Sequence, residues 1–190
     1  MFRKIKIFMI SFCVMVGLVG YASLNGVSAT TEREIIEGTA VLDLNEIEVG
    51  DSVTVYVNEK TGGKLIIDFL PTKSSRLTTG TGSWSGGTIP DRTVTMYPHY
   101  EDSNYDYSEI GYYVTYDGKN KKLLDTYGET VGVLDGEIDN LSSRITTAKA
   151  TNTAYARSQM TWTYEKGASM SCYLIQEINY KNQTRLKWRF

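Results

Sequence analysis

Histidine and cysteine are nearly absent from this chain of 190 residues, which has one histidine, His99, and two cysteines, Cys13 and Cys172. Metal centres and nucleophilic sites that need several of either are thereby excluded. There is no Gly-x-Ser-x-Gly elbow for a serine hydrolase. The glycine-rich stretch Gly80 to Gly87 is followed by no Gly-Lys-Ser/Thr and no helix start, so it is not a phosphate loop. No excess of basic charge is present: the formal net charge is −2. With 41% hydrophobic and 22% charged residues, the composition is that of a one-domain globular protein. It rules out a disordered tail, a collagen-like rod and a polytopic membrane protein.

What is present begins with an address. Arg3, Lys4 and Lys6 precede an apolar run of 13 residues, Ile7 to Val19, and the segment ends Val27-Ser28-Ala29. This pattern predicts a secretory signal peptide over 1–29, cleaved after Ala29. The run is short for a spanning helix, which needs about 20 apolar residues. Cys13 sits inside the run after Phe12, the wrong place for lipid attachment, and no sorting sequence with an apolar tail follows. Cleavage leaves 161 residues with 17 bases against 22 acids, a net charge of −5. That balance argues against nucleic acid and against strong attraction to anionic lipid. Cys172 is then alone, and its place beside Met170 and Leu174 on one strand face predicts a small buried hydrophobe. A secreted chain of this size without disulfides suits a Gram-positive export product.

The rest of the chain reads as strands. Val53, Val55 and Val57 alternate with Ser52, Thr54 and Tyr56; after a turn at Asn58 to Gly63, Leu65, Ile67 and Phe69 alternate in turn, up to Pro71. Val94 and Met96 form a further inward set, as do Ile110, Tyr112, Val114 and Tyr116; Met160, Trp162 and Tyr164; and Leu186, Trp188 and Phe190. Turns separate them at Asp117 to Asn120, Lys166-Gly167 and Lys181 to Gln183. Eight or nine strands and no long helical period predict an all-β, single-domain antiparallel two-sheet β-sandwich over 38–190, with a barrel as the alternative. Residues 30–37 read as a polar, flexible lead. Thr72 to Asp91 reads as a long loop around Trp84.

Certain turn-and-strand motifs occur in a suggestive order. They are Leu42-Asp43-Leu44 with Gly50 to Val55, the hairpin Asn58 to Ile67, Gly111-Tyr112-Tyr113-Val114 before Asp117-Gly118-Lys119, and Gly136-Glu137-Ile138 before a Ser/Thr/Ala-rich strand pair and a last strand. In these the mature chain resembles an uncharacterised family of small secreted proteins from Gram-positive bacteria, a domain of unknown function. The resemblance implies export and an all-β fold and carries no catalytic residues.

Chemistry-bearing residues are sparse. His99, just past a strand at Pro98, is expected at the surface. The alternating acids Asp135, Glu137 and Asp139, and the acidic-loop set Asp102, Asn104 and Asp106, lack the full calcium-loop pattern. No catalytic residue, cofactor or metal is assigned. Tyrosine is the anomaly: seven of 14 fall between 97 and 116. Tyr100, Tyr105 and Tyr107 lie in or beside a polar acidic loop, where rigid amphipathic rings suit recognition. With Trp84 they are the candidate surface contacts. The expected function is a secreted, monomeric, non-enzymatic binding module for wall glycan or another extracellular protein. The alternatives are a membrane-active, bacteriocin-like toxin and a carboxylate-dependent polysaccharide hydrolase.

Overall fold

The computed structural model describes residues 36–72, 88–102 and 107–190. The signal segment, the first residues of the polar lead, Trp84, Asn104, Tyr105 and Asp106 lie outside the described residues.

Alternating sequence becomes ten strands: β1 (Glu37–Asp43), β2 (Ser52–Val57), β3 (Lys64–Pro71), β4 (Thr93–Glu101), β5 (Tyr107–Asp117), β6 (Lys122–Val133), β7 (Glu137–Thr147), β8 (Ala156–Lys166), β9 (Ala168–Ile178) and β10 (Gln183–Arg189). No α-helix forms among the described residues. The strands build two antiparallel sheets of five. Sheet one has the order β1-β10-β9-β8-β7, and sheet two the order β2-β3-β4-β5-β6. The sheets are stacked as a β-sandwich and do not close into a barrel. Each sheet is a meander, except that β1 returns to pair with β10.

The inward residues of both sheets make the core. Leu65, Ile67, Phe69, Met96, Tyr112 and Val114 of sheet two are fully buried, as are Met160, Leu174 and Trp188 of sheet one. Burying side chains of this size removes roughly 1.5–3 kcal/mol of exposed apolar surface each, the main driving force for the fold. Contacts cross from sheet to sheet: Tyr100 meets Phe190 at 4.9 Å between ring centroids, and Tyr56 meets Trp188 at 5.3 Å. Buried hydroxyls are paired across the interface too, with Tyr112 Oη 3.1 Å from Ser158 Oγ. At one side the two sheets are stitched: Leu123 N donates to the Ala148 carbonyl at 2.7 Å and Ala150 N to that of Lys121 at 3.0 Å.

Three expectations are corrected. The lead does not extend to Glu37: Glu37 opens β1, and Ile36 exchanges backbone hydrogen bonds with Phe190 at 2.7 and 3.0 Å. Simple alternation fails in β2, because a bulge between Thr54 and Tyr56 adds a residue. It turns Tyr56 inward onto Trp188 and leaves Val57 46% exposed. His99 is not at the surface. β4 runs on through Pro98, whose missing N–H is tolerated because the β4–β5 register passes from Met96↔Val114 to His99↔Gly111 without pairing it. His99 is 4% exposed.

Candidate functional site

An open groove of about 300 Å³ lies between residues 151–155, in the link from β7 to β8, and residues 179–183, around the turn from β9 to β10. Local hydrogen bonds shape both walls. Thr151 Oγ1 accepts from Ala154 N at 3.0 Å, and Thr151 N donates to the Ala154 carbonyl at 2.8 Å. Opposite, Asn179 Oδ1 accepts from Lys181 N at 2.9 Å and Gln183 N at 3.0 Å, while its Nδ2 donates to Gln183 Oε1 at 2.9 Å. This Asx-type turn lets Asn182 take a left-handed φ of 61°, which asparagine tolerates better than most residues.

Two tyrosines line this groove and stay in contact with solvent, Tyr155 at 44% and Tyr180 at 37% exposure. Each has a cation beside its ring: the Arg185 guanidinium lies 4.9 Å from the Tyr155 centroid, and Lys181 Nζ lies 5.8 Å from that of Tyr180. Apart from Ala154, the remaining lining is neutral and polar, with Thr151, Asn152, Thr153, Asn179 and Gln183. Aromatic faces beside amide and hydroxyl groups present apolar surface and hydrogen-bonding edges together. Polyhydroxylated rings need both.

Beyond the groove, the outer face of sheet one carries an ion cluster. Glu177 on β9 is 5% exposed. It accepts from Arg185 Nε at 2.7 Å and Nη2 at 2.6 Å, from Lys187 Nζ at 3.2 Å, and lies 3.8 Å from Arg157 Nη1. Burial pushes its carboxyl up, and the hydrogen bonds and charges of Arg185 and Lys187 outweigh that, so it titrates below its ordinary range.

The residues singled out from sequence fall elsewhere. Tyr100 is withdrawn as a surface contact: its ring is fully buried against Phe190, and its hydroxyl donates to Asp102 at 2.8 Å. Its position in β4, two residues beyond Pro98, points it into the sandwich. Tyr107 opens β5, with its backbone opposite Val133. Asp102 is taken up by Tyr100 and by the Thr61 hydroxyl. Asp135 pairs with Lys166 at 2.9 Å, while Glu137 and Asp139 stay exposed along β7. Among the described residues no group of three or more His, Cys, Asp or Glu could hold a metal ion. His99 faces outward from sheet two beside Glu101, 3.2 Å from its Nε2, whereas Cys172 faces the core from sheet one, so the two do not meet.

Part of the tyrosine excess has a structural explanation. On the outer face of sheet two, Tyr97 stacks on Tyr113 at 4.3 Å and on His99 at 4.4 Å, and Tyr113 stacks on Tyr127 at 5.3 Å, with planes within 14°. The rings lie over backbone bared by glycine. A Cβ on Gly111 would sit 2.9 Å from the Tyr97 ring, and one on Gly128 would sit 2.8 Å from Tyr113. The faces of Tyr97 and Tyr113 are spent on their neighbours and on the sheet, while Tyr127 at the end of the stack stays 45% exposed. Tyr155 and Tyr180 were missed because each is a single tyrosine in a polar segment. The usable signal was an aromatic in each of two turn-forming stretches, Thr151 to Ala154 and Asn179 to Gln183.

The chain matches no protein-family model, no curated protein and no solved structure.

Proposed function

We propose that the protein is a secreted, non-enzymatic binding module that holds a glycan chain in the groove between the β7–β8 link and the β9–β10 turn. One observation carries this reading: Tyr155 and Tyr180 stand exposed in a groove whose other lining, apart from Lys181 and Ala154, is neutral amides and hydroxyls. Rigid tyrosines supply contact area at small entropy cost, and amides hydrogen-bond sugar hydroxyls. Export by the 1–29 segment, and the resemblance to secreted Gram-positive proteins, belong to the same proposal and make wall glycan the first ligand to try.

The test is co-sedimentation with isolated Gram-positive cell walls and, in parallel, with liposomes. Tyr155→Ser and Tyr180→Ser should each cut wall binding by roughly tenfold, the effect of losing about 1.4 kcal/mol of contact. Wall binding unchanged in both variants would refute the groove. A Tyr105→Ser/Tyr107→Ser variant in the same assay would then locate the contact in the β4–β5 loop. Retention on liposomes alone would favour the membrane-active reading.

A further inference from the structure

The outer face of sheet one gathers five cations at one end. Arg185, Lys187 and Arg189 alternate along β10, all partly exposed. The register places Arg157 two strands away, opposite Glu177, and Arg144 on β7 opposite Gln159. Along β10 the cations recur every second residue, about 7 Å apart on an extended strand. The acids beside it are Glu177, inside the cluster, and two on the edge strand, Glu37 opposite Arg189 and Asp43 opposite Gln183.

The five cations outnumber these acids. Glu177 is already shared by Arg185, Lys187 and Arg157. The Nε atoms of Arg157 and Arg189 are buried without a hydrogen-bond partner among the described residues. Glu177 gives three of the cations a role in the fold, but the row of like charges along β10 opposes itself. Ile175, in the middle of the group, is only 8% exposed. The cations are also segregated: the chain as a whole carries net negative charge.

We propose that this strip binds a linear phosphate-bearing polymer, laid along β10 with successive phosphates on Arg185, Lys187 and Arg189. Guanidinium forks match phosphate oxygens in pairs, and a row of cations along an extended strand suits an extended chain better than a compact ion. The strip adjoins the groove through Arg185, which lies over the Tyr155 ring, but its test uses Lys187 and Arg189 and does not rest on the glycan reading.

The probe is long-chain inorganic polyphosphate, titrated into the full chain as its expression host processes it. Binding should weaken roughly tenfold or more between 50 and 200 mM salt, as counterion release requires for several phosphate contacts. Lys187→Gln with Arg189→Gln should lower affinity by a further tenfold or so, while Arg185 and Arg157 remain to hold Glu177. Arg144→Gln with Lys187→Gln is a second pair, for use if the first fails to fold. No binding of polyphosphate, or binding unchanged in a folded double variant, overturns the proposal. So does binding to phosphatidylglycerol vesicles without binding to polyphosphate, which would assign the strip to a membrane surface.

Discussion

Tyr116, on β5 of sheet two, donates its hydroxyl at 2.8 Å to Oδ1 of Asn182, in the β9–β10 turn of sheet one. Both residues are buried. This bond crosses the sandwich and fixes the turn that forms one wall of the groove. Burial also pushes the Tyr116 hydroxyl up from its ordinary value, so it stays a donor through the alkaline range. Tyr116→Phe leaves a buried acceptor without its donor. It should cost about 1–2 kcal/mol in urea unfolding and weaken groove binding as the turn loosens. Tyr127→Phe, on an exposed ring, should stay within about 0.5 kcal/mol and serves as the control.

Gly118 and Gly167 both sit beside tight turns and predict opposite sensitivities. A Cβ on Gly118 would lie 2.0 Å from the Ile89 carbonyl oxygen, a backbone atom held by its own hydrogen bonding. Gly167 has a φ of +80° and nothing within 4 Å of a Cβ. Gly118→Ala must displace backbone and should cost about 3 kcal/mol, at the upper end of overpacking penalties. Gly167→Ala meets only the left-handed strain of about 1–2 kcal/mol. Thermal unfolding of the two variants side by side checks the order.

The sandwich was legible because most of its inner faces alternate, the bulge in β2 excepted. Leu65-Ile67-Phe69, Ile110-Tyr112-Val114-Tyr116 and Leu186-Trp188-Phe190 all point inward as their spacing requires. The failures share a physical cause. Tyr56 and His99 depend on where a strand bulges or runs through a proline, and that is decided by the neighbouring strand's register, not by local pattern. β1 was obscured by its content, since Gly38 faces Trp188 where a larger residue would mark an inward position. The groove was illegible for another reason. Its walls, 151–155 and 179–183, are far apart in sequence and meet only because β8 and β9 pair from Ala156↔Ile178 onward.

Cys172 behaves as its strand position requires. It is 2% exposed, and in the register it lies opposite Trp162, with Sγ 3.7 Å from the Met170 carbonyl. A thiol reagent can reach it only when sheet one opens. In native buffer, labelling at Cys172 should therefore run at least ~10³-fold slower than in denaturant. Fast native labelling, followed by mass spectrometry, would show that β9 detaches easily from its neighbours.

Glu177 sets the acid limit of the basic strip. Its carboxyl titrates below its ordinary range in the folded chain, so the native state binds fewer protons than the unfolded one. The stability it contributes is fully present above the ordinary glutamate value of about 4.3, and is lost as pH falls through the depressed folded value. Glu177→Gln removes the shared acceptor of Arg185, Lys187 and Arg157. At pH 7 it should destabilise the sandwich by about 2 kcal/mol, the scale of charge-assisted hydrogen bonds. Between pH 5 and pH 3 the wild-type chain should lose stability faster than the variant, and their difference should shrink. Urea midpoints measured across that range decide the matter: a constant difference would mean that Glu177 acts by packing and not by charge. The same variant removes the carboxylate at the centre of the cation cluster, so it should bind polyphosphate more tightly than wild type at pH 7. That gain should diminish as acid neutralises Glu177 in the wild-type chain.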